Sequence, residues 1–67
     1  MTQWVLDLLD QHPAIRQTPG YYVDWVHGVL VFGDYRVVAD GDRFTVYSFG
    51  APPRTVDDVA SWAGKAL

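Results

Sequence analysis

The chain has no cysteine, no glutamate and no asparagine among its 67 residues. The lack of cysteine excludes disulfide bridges and thiolate metal sites, and it leaves the redox compartment undetermined. No apolar run approaches the roughly 20 residues that a membrane-spanning helix needs. The N-terminal segment has no basic stretch, and Asp7 interrupts its apolar residues, so no signal peptide is predicted. We therefore expect a cytoplasmic location.

Acidic charge is carried by aspartate alone, and the net charge at pH 7 is −3. This mild negative balance disfavours broad binding to nucleic-acid phosphates. A chain of this length forms a single domain (1–67), whose core rarely supplies more than about 3–5 kcal/mol of net stability. Three Trp, four Tyr and three Phe can offset the small size, since each large ring buries about 150–250 Å².

Two terminal helices are predicted from apolar residues at helical spacing. The first spans 2–11, with Thr2 as its N-cap, and ends at His12-Pro13 because a residue before proline leaves the α region. The second follows a proline-containing loop. Thr55 is predicted to cap it, with Asp58 as the partner in a capping-box-like pair.

The middle of the chain contains three dipeptides that are typical of two-residue hairpin turns. They are His27-Gly28, Gly33-Asp34 and Asp40-Gly41. Such turns pair three sets of residues across neighbouring strands, namely Val26 with Val29, Phe32 with Tyr35, and Ala39 with Asp42. The first two strands could also form one longer strand that bends at Gly28.

Side chains alternate between the two faces of a strand, so this pairing assigns each residue to a face. One predicted face is entirely apolar or aromatic and contains Tyr21, Val23, Trp25, Leu30, Phe32, Tyr35, Val37, Ala39, Phe44 and Val46. A three-residue loop at 40–42 would mix the faces instead. We therefore predict an α+β fold: a four-stranded antiparallel meander with N- and C-terminal helices packed on one face, in the order α-β-β-β-β-α.

Residues suited to catalysis or metal binding are few and scattered. His12 and His27 have no further ligands at metal-site spacing, and the segment 40–42 lacks the remaining oxygen ligands of a calcium loop. Ser48 and Ser61 have no histidine at a predictable distance, and the glycines do not cluster into a phosphate-binding loop. We predict no enzymatic activity, no cofactor and no metal site.

The second predicted sheet face is more apolar than a solvated face needs to be. It contains Tyr22, Asp24, Val26, Val29, Val31, Arg36, Val38, Arg43, Thr45 and Tyr47. Exposed β-branched residues also favour strand formation, so an ordinary solvated face is one interpretation. A contiguous apolar surface with Tyr and Arg is also typical of protein contact sites. On that interpretation the partner is another protein or a second copy of this chain.

A separate contact patch could lie at Trp62 and the loop 49–54, although the favoured interpretation is that Trp62 closes the edge of the core. The candidate partner-binding residues are therefore Tyr22, Val29, Val31, Arg36, Val38, Arg43, Tyr47 and Trp62. A rival hypothesis is single-stranded nucleic-acid binding, in which Tyr22 and Tyr47 stack bases while the two arginines hold phosphates.

A meander followed by Thr55-Val56-Asp57-Asp58-Val59-Ala60-Ser61-Trp62 resembles many short bacterial and phage open reading frames. The resemblance covers less than half of the chain and names no activity. It implies a stand-alone accessory protein of phage or mobile-element type. We therefore expect a small non-enzymatic protein–protein interaction module that modulates a host protein, with nucleic-acid binding as the alternative.

Overall fold

An antiparallel sheet of five strands carries two helices on one of its faces. The structure, a computed structural model, describes residues 2–67. Its elements are α1 (Gln3–Gln11), a 3₁₀ helix (Pro13–Gln17), β1 (Tyr22–Asp24), β2 (Val29–Phe32), β3 (Tyr35–Asp40), β4 (Arg43–Ser48), β5 (Arg54–Val56) and α2 (Val59–Ala66). The strands are neighbours in chain order, β1-β2-β3-β4-β5. The α+β prediction is confirmed, with five strands rather than four.

The core forms between one sheet face and the helices. Leu30, Val37 and Val46 lie side by side on β2, β3 and β4 and are fully or almost fully buried. The complete set of buried residues is Val5, Leu8, Leu9, Ile15, Leu30, Phe32, Val37, Val46, Val59, Trp62 and Ala63. Both terminal helices and the 3₁₀ helix contribute to this set, so they cover the same face of the sheet.

Three aromatic rings fill the part of the core beneath α2. The Phe32 ring centroid lies 5.7 Å from that of Tyr35 and 5.8 Å from that of Trp62. Tyr35 and Trp62 meet edge to face with centroids 5.1 Å apart. Tilted and edge-to-face contacts are the favoured arrangements of aromatic pairs. This cluster supplies the dense packing that a disulfide-free chain of this size needs.

The predicted two-residue turn at His27-Gly28 is wrong. Asp24 pairs with Val29, so Trp25–Gly28 forms a four-residue loop and Val26 is unpaired. The physical reason is the Asp24 carboxylate, which accepts hydrogen bonds from the backbone N–H groups of Val26 and His27 at 3.1 and 3.0 Å. These bonds turn the chain two residues before the predicted position.

The predicted turn at Asp40-Gly41 is also displaced. Asp40 pairs with Arg43, which makes Gly41-Asp42 the turn. Gly41 has φ +65° while Asp42 has a negative φ, so the only left-handed residue of this turn stands first, as type II′ geometry requires. The third turn, Gly33-Asp34, has the predicted pairing of Phe32 with Tyr35.

Both displaced registers differ from the predicted ones by two residues. A shift of two leaves every paired residue on its predicted face, whereas a shift of one would have inverted a whole strand. The assignment of Leu30, Val37 and Val46 to the core face therefore holds. Two residues that were predicted to face the core are exposed. Trp25 lies in the wider loop and is 48% exposed, and Ala39 lies near the end of β3.

The fifth strand replaces part of the predicted loop and helix start. Arg54–Val56 pairs with Phe44–Val46 of β4, so Thr55 lies in a strand opposite Thr45 and does not cap a helix. The N-cap of α2 is Asp58, whose Oδ1 accepts from the Ser61 backbone N–H at 3.1 Å. Thr2 does occupy the N-cap position of α1, but its side chain makes no capping hydrogen bond.

The reassigned cap gives a direct test. Asp58→Ala should lower the free energy of unfolding by about 1 kcal/mol because it removes the capping acceptor of α2. Thr55→Ala should change it by less than about 0.5 kcal/mol, as expected for an exposed position. Urea unfolding followed by circular dichroism measures both values, and a larger loss for Thr55→Ala would restore the original capping assignment.

A second test compares two phenylalanines of opposite burial. Phe32 is 1% exposed and Phe49 is 96% exposed. Phe32→Ala should cost about 3–5 kcal/mol, enough to unfold much of the protein, because it empties the aromatic cluster. Phe49→Ala should stay within about 0.5 kcal/mol of the parent chain. Equal effects in thermal unfolding would contradict the described core.

Candidate functional site

The sheet face opposite the helices is not covered by any element of residues 2–67. We call it the open face. The strand pairing arranges its side chains in two main rows that run across the strands. The face as a whole contains Tyr22, Asp24, Val29, Val31, Arg36, Val38, Asp40, Arg43, Thr45, Tyr47 and Thr55. The side chains of the open face take no part in the core between the sheet and the helices.

The centre of the open face is apolar. Val29 and Val38 are directly opposite each other on β2 and β3, and Val31 follows one pleat further along β2. All three are half-buried although no helix lies over them, because neighbouring side chains on adjacent strands cover part of each valine. A partner that covered them would remove the rest of their surface from water.

Aromatic side chains border this valine centre. Tyr22 pairs with Val31 at one side and is 61% exposed, and Tyr47 pairs with Arg36 at the other and is 37% exposed. The Arg36 guanidinium carbon lies 5.0 Å from the Tyr47 ring centroid. Cation–π attraction of this kind orients the guanidinium while leaving its N–H groups free to donate.

The second arginine of the open face is partly neutralised. Arg43 Nε lies 3.0 Å from Asp57 Oδ1, and both side chains remain exposed. Asp24 and Asp40 add negative charge to the same face. Arg36 has no ion-pair partner among the described residues, so it is the cation that the open face can offer to a ligand.

The end of the face that carries the β1–β2 loop is ordered by Asp24. Besides its two backbone bonds, this carboxylate has its Oδ2 2.8 Å from His27 Nδ1. Hydrogen bonding from the His27 backbone and then from its ring lowers the pKa of Asp24 below its ordinary value of 3.8. The arrangement holds Trp25 and Val26, the latter 88% exposed, at the loop tip.

Seven of the eight candidate partner-binding residues lie together on the open face. These are Tyr22, Val29, Val31, Arg36, Val38, Arg43 and Tyr47. Trp62 is separate from them, on the other side of the sheet, where it is 9% exposed and packs against Phe32 and Tyr35. Its burial agrees with the favoured interpretation that it closes the core.

Two aromatic residues outside the eight candidates are exposed. Phe49 belongs to the contact patch predicted at 49–54, whereas Trp25 was predicted to face the core. Phe49 borders a shallow cleft of about 340 Å³ at the Gly33-Asp34 end of the sheet, where Val31, Arg36 and Tyr47 also form part of the wall. Trp25 lies at the opposite end, in the β1–β2 loop. The spacing Asp24-x-x-x-Gly28 contained the signal for that loop, because an aspartate side chain commonly bonds the backbone two or three residues on.

The histidines have structural partners. His12 Nε2 lies 2.9 Å from the Ala60 carbonyl oxygen, so the ring donates to the backbone of α2. His27 pairs with Asp24. Within residues 2–67, no group of three or more potential ligands is placed to hold a metal ion. No helix in that range is long and apolar enough to cross a membrane.

Comparison of the chain with protein-family models, with curated proteins and with solved structures finds no match.

The Asp24–His27 pair gives a prediction in acid. Because the pKa of Asp24 is lowered in the folded state, its stabilising contribution is fully present above its ordinary pKa of 3.8. It is lost as the pH falls through the lower folded value. His27→Ala should raise the Asp24 pKa, measured from carboxyl ¹³C shifts, because alanine has no side-chain donor to replace the ring. His12→Ala is the control, and an equal response would contradict the pairing.

Proposed function

We propose that this chain is a non-enzymatic protein–protein interaction module that docks its open face onto another protein in the cytoplasm. The single observation behind the proposal is the half-buried valine centre, bordered by Tyr22, Tyr47 and Arg36, which none of the described elements covers. An accessory role of phage or mobile-element type, acting on a host protein, rests on the resemblance of residues 55–62.

The residue types of the open face suit a docking surface. Tyrosine and arginine are enriched among the residues that dominate binding energy, and apolar centres surrounded by polar residues are typical of interfaces. Arg36 is already oriented by Tyr47, so less side-chain freedom is lost when a partner binds. The short β-strands beneath hold the contacting side chains on a rigid support.

The position of Arg36 supports a different protein as the partner rather than a second copy. β3 is the middle strand of the sheet, and Arg36 lies on it. In a two-fold dimer the symmetry axis passes near the centre of the shared face, so two copies of Arg36 would approach each other. Their repulsion disfavours that dimer, whereas a partner with an apolar strip and a carboxylate would satisfy Arg36.

The charge distribution also supports a protein partner over single-stranded nucleic acid. Arg43 is paired with Asp57, and Asp24 and Asp40 share the face. A phosphate backbone would meet one unpaired arginine and several carboxylates, which is a weak electrostatic footprint.

We expect affinity capture from the native host extract to show that the partner binds the open face and not another part of the surface. A tagged parent chain and the matched control Val26→Asp, which changes a valine outside the face, should retain the same partner protein. Val31→Asp and Tyr47→Asp should each weaken its binding at least about tenfold, because a buried carboxylate without a partner opposes docking. Titration with the purified partner by calorimetry measures the loss.

A separate control establishes that each variant is folded. Circular dichroism and thermal unfolding identify variants that lose structure, and the milder pair Val31→Thr and Val38→Thr keeps side-chain shape and strand propensity. The proposal fails if the face variants bind as the parent does. It also fails if the chain sediments as a dimer that Val31→Asp dissociates, or if only oligonucleotides bind, with affinity that falls steeply with salt.

A further inference from the structure

A second concave surface lies on the helix side of the sheet, between α1 and the start of α2. We call it the helix groove. Its volume is about 280 Å³, and the residues that matter for its chemistry are Trp4, Asp7, Gln11, Phe44, Asp57 and Asp58. It is separate from the open face, because Phe44 belongs to the opposite side of β4.

Two aromatic rings form the apolar part of the groove. The centroids of Trp4 and Phe44 lie 5.1 Å apart, and the ring planes are inclined by 59°. Both residues are half-buried rather than enclosed, and both contribute to the lining of the groove. Rings in this arrangement attract an organic cation through their negative faces, and tryptophan does so most strongly.

Three carboxylates belong to the same groove. Asp7 Oδ1 accepts from Gln3 Nε2, Asp57 Oδ1 pairs with Arg43, and Asp58 Oδ1 caps α2. In each case Oδ2 has no hydrogen-bond or ion-pair partner within residues 2–67. Carboxylate oxygens accept hydrogen bonds but cannot donate them when ionised. The groove therefore has three free acceptors beside its two rings.

The charge of the groove is strongly unbalanced. Three carboxylates and no basic side chain are among the residues that line the groove. Arg43, which belongs to the open face, pairs with Asp57 alone of the three. A ligand that fits must bring positive charge together with an apolar stem for the rings. Phosphates and carboxylates are disfavoured by repulsion.

We propose that the helix groove binds an arginine or lysine side chain of a partner protein. The alkyl stem lies against Trp4 and Phe44, and the charged end is held by Asp7 and Asp58 with the Gln11 amide oxygen available as a further acceptor. A volume of about 280 Å³ suits one long side chain rather than a drug-sized ligand. This site goes beyond the open-face proposal, since it lies on the other side of the sheet.

The test uses capped pentapeptides of the form Gly-Gly-X-Gly-Gly, in which X is arginine, lysine or citrulline, the neutral isostere of arginine. Binding is followed by ¹H–¹⁵N NMR. We expect the Trp4 indole cross-peak to shift with the arginine and lysine peptides, while those of Trp25 and Trp62 stay fixed. The dissociation constant should be on the order of 1–10 mM, as for a single side chain, and should rise with salt.

Two aspartates of α1 provide matched variants. Asp7→Asn keeps an acceptor for Gln3 but removes a charge of the groove, and should weaken binding by about twofold to fivefold. Asp10→Asn removes the same charge from the same helix outside the groove and should bind as the parent does. Unchanged thermal unfolding establishes that both variants fold.

The proposal is overturned if the citrulline peptide binds as well as the arginine peptide, if Asp7→Asn and Asp10→Asn behave alike, or if the Trp4 signal stays fixed at about 20 mM peptide. Val31→Asp on the open face should leave this titration unchanged. A failure of the helix-groove proposal can therefore be distinguished from a failure of the open-face proposal.

Discussion

The burial of one sheet face beneath the helices is the interaction on which the rest of the structure depends. Phe32 and Val37 are at most 1% exposed, and Ile15 from the 3₁₀ helix is fully buried. The chain has no cysteine and therefore no disulfide, and removal of this apolar surface from water is the main stabilising term for residues 2–67. Because all the helices pack on that side, the reverse side of the sheet stays uncovered.

This asymmetry links the fold to the candidate site. A five-stranded sheet has two faces, and a chain of 67 residues has enough helix to cover one of them. The valines that strengthen β2 and β3 as strands then remain half-buried on the other face. The same residues therefore serve strand formation and create the surface that we assign to docking.

Side-chain alternation made the faces predictable from the sequence. Two of the three hairpin registers were displaced, yet Leu30 and Val46 lie on the predicted side, since each displacement was an even number of residues. For the same reason seven of the eight candidate residues lie together. Trp62 does not, because a residue at the margin of a helical stripe can turn toward the core when an aromatic neighbour such as Phe32 is within reach.

Local hydrogen bonds explain why the β1–β2 loop and the start of α2 differ from the prediction. The Asp24 carboxylate closes its own loop, and Asp58 rather than Thr55 begins α2. Both outcomes depend on competition between short polar side chains for nearby backbone N–H groups, which hydrophobic periodicity does not describe. The strand at Arg54–Val56 is three residues long and has no alternation to detect. Its pairing comes from tertiary contact with β4.

The two outer strands have a consequence for association in crowded conditions. β1 and β5 are each three residues long, and Pro52-Pro53, which lacks backbone N–H donors, directly precedes β5. Sheets polymerise into fibrils by adding strands at long, flat margins. Margins this short give an incoming strand few groups to pair with, so the edges of this sheet are poor templates for strand addition even though one sheet face is apolar.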